Sequence, residues 1–171
     1  MYRTLLPVLF VAFGLLSPAY AQQWKDYQPR GEGYRVEFPG TPTEDTRRTS
    51  TNAGVIESHT SALSIGNQTF ITVRSEYPST MTMGDPETNL DRAGAGSIQR
   101  ANGTLRRQER LTVGDAPARH LVIDIPGSNQ VADTLLVMQD HRLIQAVYVG
   151  PAAVQEAPEA RRFLSSFALV R

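Results

Sequence analysis

From Tyr34 to Phe38 the chain alternates. Tyr34, Val36 and Phe38 fall on one side of an extended backbone, with Arg35 and Glu37 on the other. A period of two marks a half-buried strand, and Pro39-Gly40-Thr41-Pro42 ends it. Upstream, Gln22 to Gly33 is a polar opening segment pinned by Trp24 and Tyr27, and Glu44 to Asn52 reads as a loop or an exposed edge. Val55 to Ile65 and Thr69 to Tyr77 are two further strands joined at Gly66-Asn67, a hairpin signal. On the second, Ile71 and Val73 are expected in the core, because Phe70 shares its face with the charged Arg74.

The period then changes. Asp85-Pro86 supplies an N-cap and a preset first helical residue. Leu90, Ala93, Gly94, Ser97, Ile98 and Ala101 recur at helical spacing until Asn102-Gly103 stops them. Gly94 and Gly96 cost helix stability, roughly 1 kcal/mol each relative to Ala, and a small-residue face would let the helix sit close on a sheet. Four more strands follow, at Thr104–Val113, Ala118–Ile125, Val131–Gln139 and Arg142–Val149. The first is a charged edge strand, and Asp140-His141 forms a tight hairpin. Pro151 to Pro158 leads to a last helix with an apolar stripe of Ala160, Phe163, Leu164 and Phe167, after which Leu169 pairs or packs. Strands, a helix, antiparallel strands and a final helix make an α+β domain. The expected architecture is an α-β-α sandwich, an antiparallel sheet of about six to seven strands with helices on its faces.

The first 21 residues do not belong to this domain. A short basic start at Arg3, an apolar run from Leu5 to Leu16, Pro18, and Ala19-Tyr20-Ala21 read as a cleavable secretory signal, too short to span a bilayer comfortably. Residues 22–171 are then one globular domain, periplasmic or secreted, with Gln22 as its new N-terminus and no later membrane span. The chain has 17 basic and 17 acidic residues. Removing the signal takes Arg3 and no acid, leaving a slight negative charge, which argues against a nucleic-acid partner. The chain has no cysteine, which excludes disulfides, thiolate metal sites and cysteine nucleophiles.

Several phrases together carry a resemblance: Tyr34-Arg-Val-Glu-Phe-Pro-Gly-Thr-Pro42, Gly114-Asp-Ala-Pro-Ala-Arg119, Asp140-His-Arg-Leu-Ile-Gln-Ala-Val-Tyr-Val-Gly150 and Phe163-Leu-Ser-Ser-Phe167. They resemble a broad set of exported bacterial proteins with the PsbP-like fold. PsbP itself is an extrinsic protein of the photosystem II oxygen-evolving complex. The resemblance covers nearly the whole domain and implies a fold. Its motifs are structural, and no manganese, calcium or chloride contact carries over to a residue here; shared fold does not give shared function.

Candidate chemistry is sparse. Glu57 and His59 share one strand face, and His120 and Asp124 share another, so a two-strand metal site of these four is conceivable; solvated sheet-face residues are the alternative. His141 sits in a turn. Arg106, Arg107 and Arg110, with Arg119 nearby, form the basic cluster, able to grip an anionic ligand or partner or simply to protect a sheet edge. Ser97, Ser165 and Ser166 lie on helices without a nucleophile elbow, and Gly94-Ala-Gly96 is no phosphate loop. Asn67 and Asn102 head glycosylation-type triplets that serve as turns in a bacterial chain. No cofactor is implied. The expected function is an exported, non-catalytic binding or assembly module, with an unknown protein partner in the periplasm or envelope. The alternatives are a small-ligand carrier with an apolar pocket between the first helix and the sheet, and a metal-binding protein or enzyme using the sheet-face His and carboxylates.

Overall fold

The computed structural model describes residues 23–152 and 157–170. The expected signal and its cleavage point lie outside them. The strands are β1 (Lys25–Tyr27), β2 (Tyr34–Phe38), β3 (Thr43–Thr51), β4 (Gly54–Ile65), β5 (Gln68–Glu76), β6 (Thr104–Val113), β7 (Ala116–Ile125), β8 (Gln130–Gln139), β9 (Arg142–Pro151) and β10 (Ala168–Leu169); the helices are α1 (Pro86–Arg100) and α2 (Pro158–Ser165). Seven strands form one antiparallel sheet in the order β3-β4-β5-β9-β8-β7-β6. β2 is flanked by β1 and β10 in a second, three-stranded sheet. The expected loop or edge at 44–52 is a full edge strand, and Leu169 pairs with Tyr34.

Alternation divides the sheet into two faces, each with its own core. On the first, Phe70, Ile144, Ala146, Tyr148, Leu135, Val137 and Ala118 meet Tyr34, Val36 and Phe38 of β2 and Phe163 and Phe167 of the α2 region. Phe163 packs edge-on against both Phe38 and Phe70. Trp24 packs edge-on against Phe70 and so pins the opening segment. On the second, Leu90 of α1 packs with Leu121, Ile123, Leu136, Met138 and Leu143. Full burial of one such Leu or Phe contributes about 1.5–3 kcal/mol. The helices do not make continuous outer layers. α1 lies chiefly on β7 and β8, while α2 shares its face with the small sheet. The molecule is mostly sheet, and the sandwich holds only in outline.

Two glycines mark close approach. A Cβ on Gly94 would meet Leu121 Cδ2 at 3.1 Å, so α1 does sit tight on the sheet there. A Cβ on Gly150 would collide with Tyr148 Oη, because the tyrosine folds back over its own strand.

The core face of β5 is opposite to the expected one. Phe70 and Thr72 are fully buried and Arg74 is 8% exposed, whereas Ile71 and Val73 are only half-buried. β2 and its neighbours cover the Phe70 face, and Glu76 of the same strand with Glu32 from the β1–β2 connection compensates Arg74.

Candidate functional site

Strand register assembles the most strongly charged site. Arg48, Glu57, Glu76 and Arg142 stand opposite one another across β3, β4, β5 and β9. The next row on the same face is Thr46, His59, Arg74 and Ile144, and the one after is Glu44, Ser61, Thr72 and Ala146. Glu57 directly opposite Glu76 is a like-charge pair and unfavourable alone. The surroundings offset it. Arg48 Nε donates to Glu57 at 2.5 Å and Arg142 Nε to Glu76 at 2.8 Å. Arg74 donates to Glu76, and His59 Nε2 lies 2.7 Å from Glu57. Glu32, in the β1–β2 connection, completes the chain 3.4 Å from Arg74 and 3.6 Å from His59. The result is an alternating run, Arg48–Glu57–His59–Glu32–Arg74–Glu76–Arg142. Arg48 and His59 hold the Glu57 carboxyl below its ordinary value.

A cleft of about 530 Å³ opens above these rows, bounded by Tyr27, Glu32, Tyr34, Glu44, Thr46 and His59. Tyr27 Oη donates to Glu44 at 2.6 Å and lies 2.7 Å from Ser61 Oγ. Burial, and then the Glu44 carboxylate, push the Tyr27 hydroxyl well above its ordinary value. Tyr34 bonds Thr72 at 2.7 Å, and burial pushes it up as well. Both nitrogens of His59 are engaged, Nε2 with Glu57 and Nδ1 with Thr46 Oγ1 at 3.1 Å. An imidazole held on both sides is an oriented bridge between carboxylates, and the cleft beside it suits a cationic or hydrogen-bonding group.

The four sheet-face residues expected to share a metal are divided. Glu57 and His59 do meet, but their strand β4 is separated from β7, which carries His120 and Asp124, by β5, β9 and β8. At about 4.8 Å per strand that is roughly 19 Å, far beyond bonds of about 2 Å to one ion. His120 instead bonds Asp133 on β8, and Asp124 takes a forked contact from Arg106. Among the described residues no group of three His, Asp or Glu side chains is arranged to hold a metal. His141 stands in its expected turn, at a separate cleft with Glu57, Glu76 and Arg142.

The arginine cluster is divided too. Arg119 is fully buried under α1. Its Nε donates to Asp91 at 2.9 Å and an Nη to Glu87 at 2.5 Å. Burial opposes its charge, yet the Glu87 and Asp91 carboxylates outweigh that and hold the guanidinium above its ordinary range. Arg110, opposite Arg119, approaches the same Asp91 at 3.9 Å. Arg107 pairs with Glu109, and Arg106 occupies an irregularity in the β6–β7 register beside Asp124. The four arginines therefore form no single anion-binding surface. Arg119 was detectable in the sequence as a helix lock, since it is in phase with Leu121 and Ile123 on an apolar strand face. Ser97 and Ser165 on the helices, and Ser166 just past α2, donate to backbone: Ser97 to Ala93, Ser165 to Arg162, and Ser166 to Phe163.

No known family profile matches the chain, and no curated protein matches it. Among solved structures, the chain is similar to cyanobacterial PsbP (CyanoP) from Synechocystis sp. PCC 6803, solved in solution. The two are 13% identical with a TM-score of 0.54, over 92% of this chain and 98% of that one. The fold is PsbP-like. The expected PsbP-like pattern thus holds across nearly the full length of both chains, at an identity that speaks for fold alone. No helix among the described residues is long and apolar enough to cross a membrane.

Proposed function

We propose that the chain is an exported, non-catalytic binding or assembly module, acting in the periplasm or outside the cell against a protein of the envelope. One observation carries this reading. The charged side chains that could do chemistry are occupied with one another: the seven-member run on the β3–β4–β5–β9 face, Arg119 with Glu87 and Asp91, and His120 with Asp133. Such closed pairs fix a surface, with their acids and bases turned toward one another rather than aimed at a common point, the arrangement catalysis needs. The test places a photo-crosslinking residue at Arg30 or Thr46, beside the polar cleft, in the exported chain within its own cells. Reproducible capture of the same envelope protein from both positions supports the reading. Absence of any cross-link, together with turnover of a small substrate by the purified chain, contradicts it.

A second observation favours a small-ligand carrier. A cleft of about 430 Å³ runs between α1 and the sheet, lined by Tyr77, Met81, Met83, Met138 and Leu143, with Arg92 and Arg100 from the helix also on it. Thioether and aromatic side chains beside polar groups and two guanidiniums suit an amphipathic anion. Thermal-shift screening against lipids, haem and quinones separates the two readings: a saturable rise in melting temperature that Met138→Lys removes favours the carrier.

A further inference from the structure

The outer edge of β3 leads beyond the proposed function. β3 ends the seven-stranded sheet, is nine residues long, is exposed at every position, and is paired along one side only among the described residues. Its register with β4 runs from Thr43 to Thr51 without a bulge, so the other side presents a regular ladder of backbone donors and acceptors. Open edges are usually blunted by bulges or by charge. The opposite edge, β6, has both: its register slips between Leu105 and Arg107, and Arg106, Arg107 and Arg110 outnumber Glu109. β3 has no slip, and its Glu44, Asp45, Arg47 and Arg48 sum to zero.

The order of those charges is self-complementary. Lay a second copy antiparallel across a two-fold axis that passes through Thr46 perpendicular to the sheet. Glu44 then stands opposite Arg48 and Asp45 opposite Arg47, each twice by symmetry, with Thr43 facing Thr49. Residues directly opposite in an antiparallel pair share a sheet face, so the Glu44–Arg48 pairs form on one face and the Asp45–Arg47 pairs on the other. A slip of one residue in either direction keeps only half of the matched pairs. Within the chain, Asp45 and Arg47 are exposed and make no ion pair among the described residues. Arg48 reaches Glu57 yet its side chain is still 73% exposed. We infer that β3 is a self-association edge, through which two copies of this chain join their seven-stranded sheets into one continuous sheet.

A strand-to-strand contact of this length belongs to the small, transient class of interfaces. Sedimentation velocity of the purified chain is therefore run from roughly 10 μM to 1 mM. The expected result is a reversible monomer–dimer equilibrium, weakened as salt rises. Two charge reversals give the decisive control. Arg47→Glu with Arg48→Glu makes the edge wholly acidic, and Glu44→Arg with Asp45→Arg makes it wholly basic; each alone should lose at least ten-fold in association. Mixed one to one, the two variants should form a heterodimer stronger than the parent homodimer, which also shows that both are folded. A monomer throughout the concentration range overturns the inference. So does a dimer indifferent to both reversals, or an open-ended series of larger species, which would mean a head-to-tail contact between unlike edges.

Discussion

Arg119 offers an asymmetric test, because the three members of its cluster differ sharply in burial. The arginine side chain is 1% exposed, whereas Glu87 and Asp91 are 41% and 46% exposed. Arg119→Met puts an apolar chain of similar length where the guanidinium lay, on the strand face that carries Leu121 and Ile123, and returns two half-exposed carboxylates to water. Replacing a buried ion pair by apolar volume is often close to neutral, so the expected loss is at most about 1 kcal/mol. The opposite cut, Glu87→Gln with Asp91→Asn, leaves a charged guanidinium buried with only neutral partners. That should cost about 3–5 kcal/mol. Urea unfolding followed by circular dichroism reads both, provided the slopes stay equal. If Arg119→Met costs as much as the double carboxylate change, the reasoning from burial is wrong, and the ion pairs to Glu87 and Asp91 give far more net stability than their desolvation removes.

Other expectations are more local. Gly150→Ala should cost about 3 kcal/mol by driving the buried Tyr148 ring off its seat, and the double variant with Tyr148→Leu should cost less than the sum of the two single changes. The Thr88 backbone N–H and hydroxyl hold the Asp85 carboxyl below its ordinary 3.8. A lowered folded-state value gives stability that is present above 3.8 and lost as pH falls through the folded value. Asp85→Asn should therefore flatten the acid limb of a stability–pH profile while α1 stays capped. Burial raises Tyr27, Tyr34, Tyr77 and Tyr148 above the ordinary 10.0. The stability this implies is complete below pH 10 and declines above it, so tyrosinate absorbance should appear together with unfolding in an alkaline titration.

Local pattern made much of the fold readable. β2 followed from strict alternation, α1 from Asp85-Pro86 and its small-residue stripe, and the β8–β9 hairpin from Asp140-His141, where Asp140 takes φ +52°. The charge of Arg74 points to the wrong face of β5. Arg74 is buried since Glu76, two residues along its own strand, and Glu32, forty-two residues away in the chain, both reach it. The rows joining Arg48 to Arg142 depend on the register of four strands, which no spacing in the sequence encodes. His120 and Asp124 were read on the correct strand, but strand order, fixed by long-range pairing, decided that they would not meet His59. The three-residue β1 and two-residue β10 are too short to show a period of their own.

Charged side chains here serve the fold, and the unfolding free energies of Glu32→Gln and Asp133→Asn test this most directly. Both carboxylates are nearly buried, at 12% and 5% exposed, and each faces a cation or imidazole across a strand boundary. Each variant should lose at least about 1 kcal/mol. A gain in stability from either change, as for residues held under strain for chemistry, would contradict it.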